Sequence, residues 1–367
     1  MPRKPEGALR RGWTTGACAA AAARAAYEAL LTGRFPEQVT IRLPKGDAPS
    51  FPIERQGIGE SWAEAGIVKD AGDDPDVTHG ALILTRIEPG EPGSGIVFRA
   101  GIGVGTVTRP GLALAPGEAA INPGPRRYIA WALEDAAAEA GGPDKPDLIV
   151  TVSIPGGAEL AQKTLNARLG ILGGLSVLGT TGVVVPYSCA SWIHSIQRGI
   201  DVARAAGIEH LAAATGSTSE AAVRQLYGLS DQALLDMGDF VGGTLKYLKR
   251  HPVAKLTLAG GFAKIAKLAA GHLDLHSSRS RVDAVALARL LGDLGAPAEA
   301  VAEAEAAAGA GEVLSIARSL GAGFEAALTR RIAAEARDVA LATLAGQTAI
   351  EVAIFDRAGA LIGQAGP

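Results

Sequence analysis

Short apolar runs that end in loops of small residues recur between residues 148 and 261 of the chain. Val, Ile, Leu and Ala fill most positions of these runs, and this length and composition predict buried strands. Each run is followed by Gly, Ser or Thr, which predicts a tight loop. The runs and their loops are 148–153 before Pro155-Gly156-Gly157, 175–178 before Gly179-Thr180-Thr181-Gly182, 210–214 before Thr215-Gly216-Ser217, and 255–259 before Gly260-Gly261.

The repetition of this strand-and-loop pattern predicts one composite cofactor site. In an open parallel sheet, the loops after the strands gather at the carboxyl edge, where ligands bind. Glycine lets the backbone approach a ligand closely, and hydroxyls donate hydrogen bonds to it. One such turn by itself is ordinary connection chemistry. The predicted cofactor-binding residues are Gly156, Gly157, Gly179, Thr180, Thr181, Gly182, Thr215, Gly216, Ser217 and Gly260.

The first 140 residues combine helical and alternating patterns. An alanine-rich run follows Thr14 and Thr15, either of which is a natural N-cap, and Gly33 ends the helix. Because a helix N-terminus favours anions, Thr14 and Thr15 are also candidates for binding a substrate carboxylate. The other predicted elements are a hairpin at 39–43 and 51–53, strands at 63–68 and 81–85, a helix from about 128 to 140, and a loose leader at 1–10.

The segment Gly141-Gly142-Pro143-Asp144-Lys145-Pro146 is the best linker candidate in the chain. It predicts two domains, which a chain of 367 residues is long enough to form. We expect an N-terminal α+β domain at 1–145 and a C-terminal Rossmann-like α/β domain at 146–367 with a mainly parallel sheet. The sequence after Arg281 is mainly helical, with a final strand at 350–355.

An aspartate-rich loop, residues 69–80 (KDAGDDPDVTHG), follows the strand predicted at 63–68. Its four aspartates and one histidine exceed what turn formation requires. A calcium loop is excluded by the spacing, because glycine at the sixth position and glutamate at the twelfth are both missing. We therefore predict a loop for acid/base chemistry or ligand positioning, with Asp70 and His79 as candidates.

Charge and composition exclude several classes of protein. With 35 Lys+Arg against 38 Asp+Glu, the net charge of −3 argues against a nucleic-acid partner. The apolar stretch at 17–31 is interrupted by Arg24 and Glu28, so no membrane partner is expected and the protein is predicted to be soluble and cytoplasmic. Cys18 and Cys189 are too few for a cysteine-based zinc cluster and are predicted to be small buried residues.

Five blocks of sequence, taken together, resemble one known family. They are WTTGACAAAAARAA, VKDAGDDPDVTHG, GTVTRPGLAL with GEAAINPGPR, TLNARLGILGGLSVLGTTG and KLAAGHLDLHSSRS. In this order they are similar to the CbiD family, the cobalt-precorrin-5B C(1)-methyltransferases of cobalamin biosynthesis. The resemblance covers most of the chain.

The resemblance implies an S-adenosyl-L-methionine-dependent methyltransferase that converts cobalt-precorrin-5B to cobalt-precorrin-6A in the anaerobic pathway to vitamin B12. The acceptor is a small tetrapyrrole that carries many carboxylates, so a locally basic site is expected. Lys69 and Arg126, which lie in matched blocks, are therefore candidates for substrate binding. Cobalt belongs to the substrate, and no protein-bound metal is expected. The sequence leaves the oligomeric state open.

Methyl transfer depends mainly on holding donor and acceptor at attacking distance. A base that shifts a proton in the macrocycle would be Asp70 or His79, with His276 as the third choice, since a histidine titrates near neutral pH. Three other functions are alternatives. A phosphate-handling enzyme is disfavoured because the P-loop ending is missing, and a dehydrogenase because a dinucleotide fingerprint and its ribose-binding acid are not recognisable. A non-catalytic tetrapyrrole carrier remains an alternative.

Overall fold

The computed structural model describes residues 7–367, which form two compact units. The first unit ends at Cys189, and the second comprises Ala190–Pro367. Of the leader predicted at 1–10, residues 1–6 lie outside the described residues. Arg10 is not loose, because its guanidinium pairs with Asp70.

The described chain contains a run of strands after the first helix, alternating strands and helices in its middle, and a run of helices before the last two strands. The helices are α1 (Thr15–Thr32), α2 (Pro123–Ala140), α3 (Gly157–Ala161), α4 (Cys189–Ala205), α5 (Ser217–Tyr227), α6 (Val241–Leu248), α7 (Phe262–Ala269), α8 (Ala284–Asp293), α9 (Ala298–Glu305), α10 (Ala310–Ser319) and α11 (Ala322–Leu344). The strands are β1 (Gly12–Trp13), β2 (Gln38–Thr40), β3 (Ser50–Pro52), β4 (Arg55–Ile58), β5 (Ala63–Val68), β6 (Leu82–Pro89), β7 (Ile96–Ala100), β8 (Thr106–Val107), β9 (Leu148–Ser153), β10 (Ile171–Leu172), β11 (Val183–Val184), β12 (His210–Ala214), β13 (Leu234–Asp236), β14 (Lys255–Gly261), β15 (Ala349–Phe355) and β16 (Leu361–Ala365).

The first unit packs α1 and α2 together, and α1 lies against a mixed sheet. The sheet order is β4-β5-β6-β9-β7, in which β7 and β9 are parallel and the other pairs are antiparallel. Most alanines of α1 have no exposed surface, and Cys18 lies among them. Alanine favours the helix and its small side chain lets the helix approach its neighbours closely. The sequence prediction for this helix is confirmed, with Thr14 as N-cap and Gly33 as C-cap.

The predicted domain boundary at 145/146 is wrong, because the chain continues in the first unit beyond it. Strand β9 begins just after the proposed linker and pairs with both β6 and β7 of the first sheet. The segment at 141–146 is therefore a connection inside the first unit. A sequence of Gly and Pro indicates a turn but does not specify which strands pair on either side of it.

The second unit is built on a mainly parallel sheet with helices on both faces. The sheet order is β13-β12-β14-β15-β16, and only β16 runs antiparallel to its neighbour within this sheet. Helix α5 packs on one face, over Ala212, Ala214 and Ala353. Helices α4, α6, α7 and α11 contribute to the core on the other face, with Leu211 and Leu258. This arrangement is an α/β fold, as the strand and helix patterns predicted.

The four strand-and-loop runs do not belong to one sheet, so that prediction is wrong. Strand β9 lies in the first unit, whereas β12 and β14 are neighbours in the second. The run at 175–178 forms only isolated bridges among the described residues, from Leu175 to Val104 and from Val177 to Ile121. The composition of a run indicates an extended backbone, but its partner is chosen by contacts far away in sequence.

Across residues 7–367, the structure contains no helix with both the length and the apolar character needed to cross a membrane.

Candidate functional site

The loops after β12 and β14 lie side by side at the carboxyl edge of the second sheet. The Thr215 amide donates to the Ala259 carbonyl at 2.9 Å. A Cβ added to Gly260 would lie 2.9 Å from Thr215 Oγ1, so the two loops pack closely. The chain leaves β12 through α5 on one face and leaves β14 through α7 on the other. Such a divergence is a topological switch point, the usual ligand crevice of an open α/β sheet.

Gly216 leaves open space at this switch point. Its φ of 175° and ψ of 170° are extended values that any residue adopts. Apart from its chain neighbours, a Cβ at this position would have no atom of the described residues within 4 Å. The loop itself is well held, because the Gly216 carbonyl accepts hydrogen bonds from Ser219 Oγ and from the Glu220 amide, both at 2.9 Å. Gly216 is the N-cap of α5, and the open space beside it can accept a bound group.

The end of β13 lies beside the loop after β12 and was missed by the sequence analysis. Asp236, the last residue of β13, pairs with Ala214, the last residue of β12. The amides of Met237 and Gly238 both donate to the Ala214 carbonyl, at 3.0 and 3.1 Å. This strand contains only three residues, and so it gives too short a pattern to detect. Asp236 is therefore an acidic residue at the edge of the sheet that the sequence pattern did not reveal.

The loop that carries His276 is tied to the same edge of the sheet. Lys264, in the first turn of α7, forms an ion pair with Asp239 and also donates to the Leu275 carbonyl at 3.2 Å. Lys267 donates to the same carbonyl at 2.9 Å. Nδ1 of His276 accepts from the Ser278 amide at 3.2 Å. The neutral ring therefore carries its proton on Nε2, which points to hydrogen-bond donation at that atom.

The glycines predicted as cofactor ligands in the first unit are explained by the fold. Gly179 has a φ of +126°, and a Cβ there would lie 2.4 Å from Thr14 Oγ1. Gly182 has a φ of +81°, and Gly156 has a φ of +75°. A Cβ on Gly157 would lie 2.3 Å from the Gly103 carbonyl oxygen. These positions require glycine for backbone or packing reasons, whether or not a ligand is near.

The hydroxyls near the start of α1 also have structural roles. Thr14 Oγ1 accepts from the Ala17 amide at 3.2 Å and lies 3.4 Å from the Tyr128 hydroxyl. Tyr128 donates to the Gly179 carbonyl at 2.8 Å. Thr15 is buried, Thr180 is exposed, and Thr181 Oγ1 accepts from the Val183 amide at 3.3 Å. Capping and loop bonding account for Thr14 and Thr181.

The four aspartates of the aspartate-rich loop bind Arg10, Tyr187 and Lys69. Asp73 accepts from the Arg10 amide at 2.6 Å, and Asp74 accepts from the Tyr187 amide at 2.8 Å. Tyr187 has a φ of +55°, which is rare for a residue other than glycine. Asp76 binds Lys69, and Asp70 binds Arg10. The aspartates hold separate segments of the chain together. The sequence patterns did not identify Arg10 and Tyr187 as their partners.

Lys69 is positioned to stabilise this loop. Its side chain is 1% exposed, and its Nζ donates to Asp76 at 2.6 Å. Asp76 in turn accepts from the amide and hydroxyl of Thr78, at 2.7 and 2.6 Å. The predicted role of Lys69 in substrate binding gains no support from this geometry, because the ammonium is buried and committed to Asp76.

Asp70 and His79 are both engaged in local hydrogen bonds. The hydrogen bond from Arg10 holds the pKa of Asp70 at about 2, and the bond from the Gly72 amide adds to the effect. A carboxylate with this pKa has little affinity for a proton near neutral pH. Nδ1 of His79 accepts from the Ala71 amide at 3.1 Å, so the neutral ring carries its proton on Nε2. In this conformation neither residue is well prepared to remove a proton.

Arg126 organises the loop that precedes α2. Its guanidinium donates to the carbonyls of Ile121 and Ala119, at 2.8 and 3.3 Å, and to Glu118 at 3.0 Å. The ring of Phe98 lies 5.3 Å below its charge. These contacts give Arg126 a structural role, and its predicted contact with substrate would need a further donor or a rearrangement.

Groups of three or more His, Cys, Asp or Glu side chains that could hold a metal ion are not found in the described part of the chain.

The fold and the edge of the second sheet define a class, namely an α/β protein with a switch point suited to a small organic ligand. The model of the CbiD family matches residues 2–186, and that of the CbiD C-terminal domain matches residues 274–366. The chain belongs to the CbiD family. The first match ends close to Cys189, where the first compact unit also ends.

Curated relatives share most of the sequence. The cobalt-precorrin-5B C(1)-methyltransferases of Brucella canis and Brucella suis biovar 1 are each 58% identical over 362 residues, which cover 98% of this chain and 96% of theirs. That of Brucella anthropi is 58% identical over 96% of this chain and 95% of its own. A crystal structure of the cobalamin biosynthesis protein CbiD from Archaeoglobus fulgidus is 28% identical, with a TM-score of 0.41, and covers 75% of this chain and 84% of that one.

Proposed function

We propose that this protein transfers a methyl group from S-adenosyl-L-methionine to C1 of cobalt-precorrin-5B, giving cobalt-precorrin-6A. Relatives that are 58% identical over nearly the whole chain carry the name of this activity. Membership of the CbiD family supports the same assignment. Cobalt enters the reaction as part of the tetrapyrrole substrate.

The adenosyl group of the methyl donor binds at the Rossmann-like switch point of the second unit. The observation that carries this proposal is the open space at Gly216, which lies at the switch point between the loops after β12 and β14. Thr215, Ser217 and Gly260 surround the same point. The amides at the start of α5 and the hydroxyls of the loop provide donors, and glycine permits close approach. Gly156, Gly157 and 179–182 are left out of this cofactor site because they lie in the first unit, where backbone conformation, packing or loop bonding explains all of them except Thr180.

The protein contributes mainly binding and orientation to the reaction. S-adenosyl-L-methionine supplies an activated methyl group on its sulfonium, and no nucleophilic side chain is needed. Holding the acceptor carbon in line with that group is a large source of acceleration. Asp70, His79 and His276 retain their places as candidate polar contacts, but their hydrogen bonds favour orientation over proton removal. His276 is tied to the cofactor edge through Lys264 and Leu275.

Calorimetric titration with S-adenosylhomocysteine tests the cofactor site. Gly216→Val places a branched side chain in the open space, and we expect it to abolish saturable binding. Gly309→Val is the matched control. Gly309 also precedes a helix, α10, with φ 175° and ψ 176°, and its Cβ would likewise have no described atom within 4 Å. Each variant replaces a glycine at a helix N-cap by valine, so the effect on the helix should be similar in both. A difference in binding between the two variants therefore reports a ligand at Gly216.

The outcomes separate the proposed function from its alternatives. Binding by the wild type and by Gly309→Val, but not by Gly216→Val, supports the site. Equal binding by both variants would place the adenosyl group elsewhere. If the wild type binds no S-adenosylhomocysteine even with the cobalt tetrapyrrole present, the tetrapyrrole carrier becomes the better assignment. Formation of the methylated product, followed by mass spectrometry, tests the reaction itself.

A further inference from the structure

The segment from β12 to β13 has the layout of a nucleoside-binding βαβ unit. Strand β12 runs into the loop at Thr215, α5 crosses one face of the sheet, and β13 returns parallel to β12 as its neighbour. In such units an acid at the end of the second strand, about 20 residues after the loop, binds the ribose hydroxyls. Asp236 ends β13, 21 positions after Thr215.

The backbone at Asp236 is held firmly in place. Its carbonyl accepts from Trp192 Nε1 at 3.0 Å. The two amides that follow it both bond to the Ala214 carbonyl, which fixes the end of β13 against the end of β12. Successive side chains of a strand point to opposite faces. Because Leu234 packs in the cluster beneath α5, Asp236 projects on that same face, toward the helix that starts at the glycine loop.

We propose that Asp236 binds the ribose hydroxyls of the adenosyl cofactor and thereby selects a ribonucleoside at this site. The inference rests on the proposed function, since it assigns a recognition residue to the same cofactor site. An ionised carboxylate only accepts hydrogen bonds, and two vicinal hydroxyls can donate to its two oxygens.

The carboxylate of Asp236 suits the hydroxyl donors of a ribose. In dinucleotide-binding units of the same layout the acid binds the ribose while a pyrophosphate lies at the start of the helix, so the acid identifies the sugar and not the group attached to it.

A pair of ligands and three variants test the inference by calorimetry. The ligands are S-adenosylhomocysteine and its 2′-deoxyadenosyl counterpart. We expect the wild type to bind the ribose form about 10- to 100-fold more tightly, as a charge-assisted hydrogen bond implies. Asp236→Ala should bind both weakly and with nearly equal affinity, and Asp236→Asn should fall between. Asp231→Asn is the control, because Asp231 lies in the same βαβ unit but pairs with Arg224 on the surface.

The possible failures are distinct. If Asp236→Ala keeps the wild-type preference for the ribose form, the inference is overturned while the cofactor site stands. If the wild type binds neither ligand, with or without the cobalt tetrapyrrole, both the cofactor site and the inference are overturned. Asn preserves the size of the Asp236 side chain. Circular dichroism of Asp236→Asn shows whether a loss of preference for the ribose form arises from misfolding of the variant.

Discussion

Lys69 donates a hydrogen bond to Asp76 at 2.6 Å from a side chain that is only 1% exposed. The ion pair joins the first residue of the aspartate-rich loop to its eighth, and so it holds the loop in a compact conformation. Asp76 is partly exposed, whereas the ammonium of Lys69 is not. The two partners should therefore differ in what their removal costs.

Asp76→Ala is expected to destabilise the first unit by about 3 kcal/mol, because it leaves a buried ammonium without a partner. Lys69→Met should cost less, since the remaining carboxylate can bind water. Urea unfolding of both variants measures the difference. Glu335→Ala serves as the control for a surface ion pair with Arg331, where about 0.5 kcal/mol or less is expected. Equal losses in the two loop variants would contradict this account.

Asp70→Asn tests whether the aspartate-rich loop supplies a catalytic base. With the pKa of Asp70 held at about 2 by Arg10, we expect a fall in turnover that is smaller than the 10²- to 10⁴-fold loss typical of a missing general base. Arg10→Met breaks the same ion pair and should produce a similar change. Initial rates of methyl transfer for both variants decide the question. A loss above about 100-fold in Asp70→Asn alone would restore Asp70 as a base.

Two glycines should differ strongly in how much alanine destabilises the protein. At Gly179 a Cβ would lie 2.4 Å from Thr14 Oγ1, and the φ of +126° disfavours an L-residue. We expect Gly179→Ala to lower the free energy of unfolding by about 2 kcal/mol or more. Gly216→Ala should lower it by less, about 1 kcal/mol or below, because the position is extended and open and only the N-cap preference for glycine over alanine is lost. Thermal unfolding of the two variants, followed by circular dichroism, is the measurement.

The sequence identified individual elements better than their grouping. Strands β12 and β5 were predicted with the bounds that the structure gives them, because their patterns are local. The grouping of β9 with β6 and β7 depends on pairs more than 50 residues apart, which composition does not encode. For this reason the first unit was predicted to end too early, and half of the cofactor loops were assigned to the wrong sheet.

The same distinction applies to the candidate site. Gly216 and Thr215 follow directly from a strand pattern, so the loop could be found. Asp236 could not, because a strand of three residues has no recognisable period. Arg10 was overlooked since its partner Asp70 is 60 positions away. A charged residue in a polar terminal segment carries no sign of such a contact.

A polar network at the amino end of the second sheet predicts a pH-dependent stability. Glu351 accepts from Lys255, Tyr227 and Thr257, at 2.9, 2.7 and 2.8 Å, and from Gln364 at 2.8 Å. Burial by itself raises the pKa of Glu351, but these donors outweigh it and hold the pKa at about 2, against an ordinary 4.5. The folded state therefore favours the ionised form. The network lies at the opposite end of the strands from the cofactor loops, which suggests a role in stability.

The sign of the effect follows from the lowered pKa. The stabilisation is complete above pH 4.5 and is lost as the pH falls toward 2, because the unfolded chain then binds the proton first. The full loss should approach about 3 kcal/mol. Glu351→Gln should be less stable than the wild type at pH 7, and the gap should narrow on acidification. Guanidinium unfolding of both proteins between pH 7 and pH 3 measures the gap, and a gap that stays constant with pH would contradict the assignment.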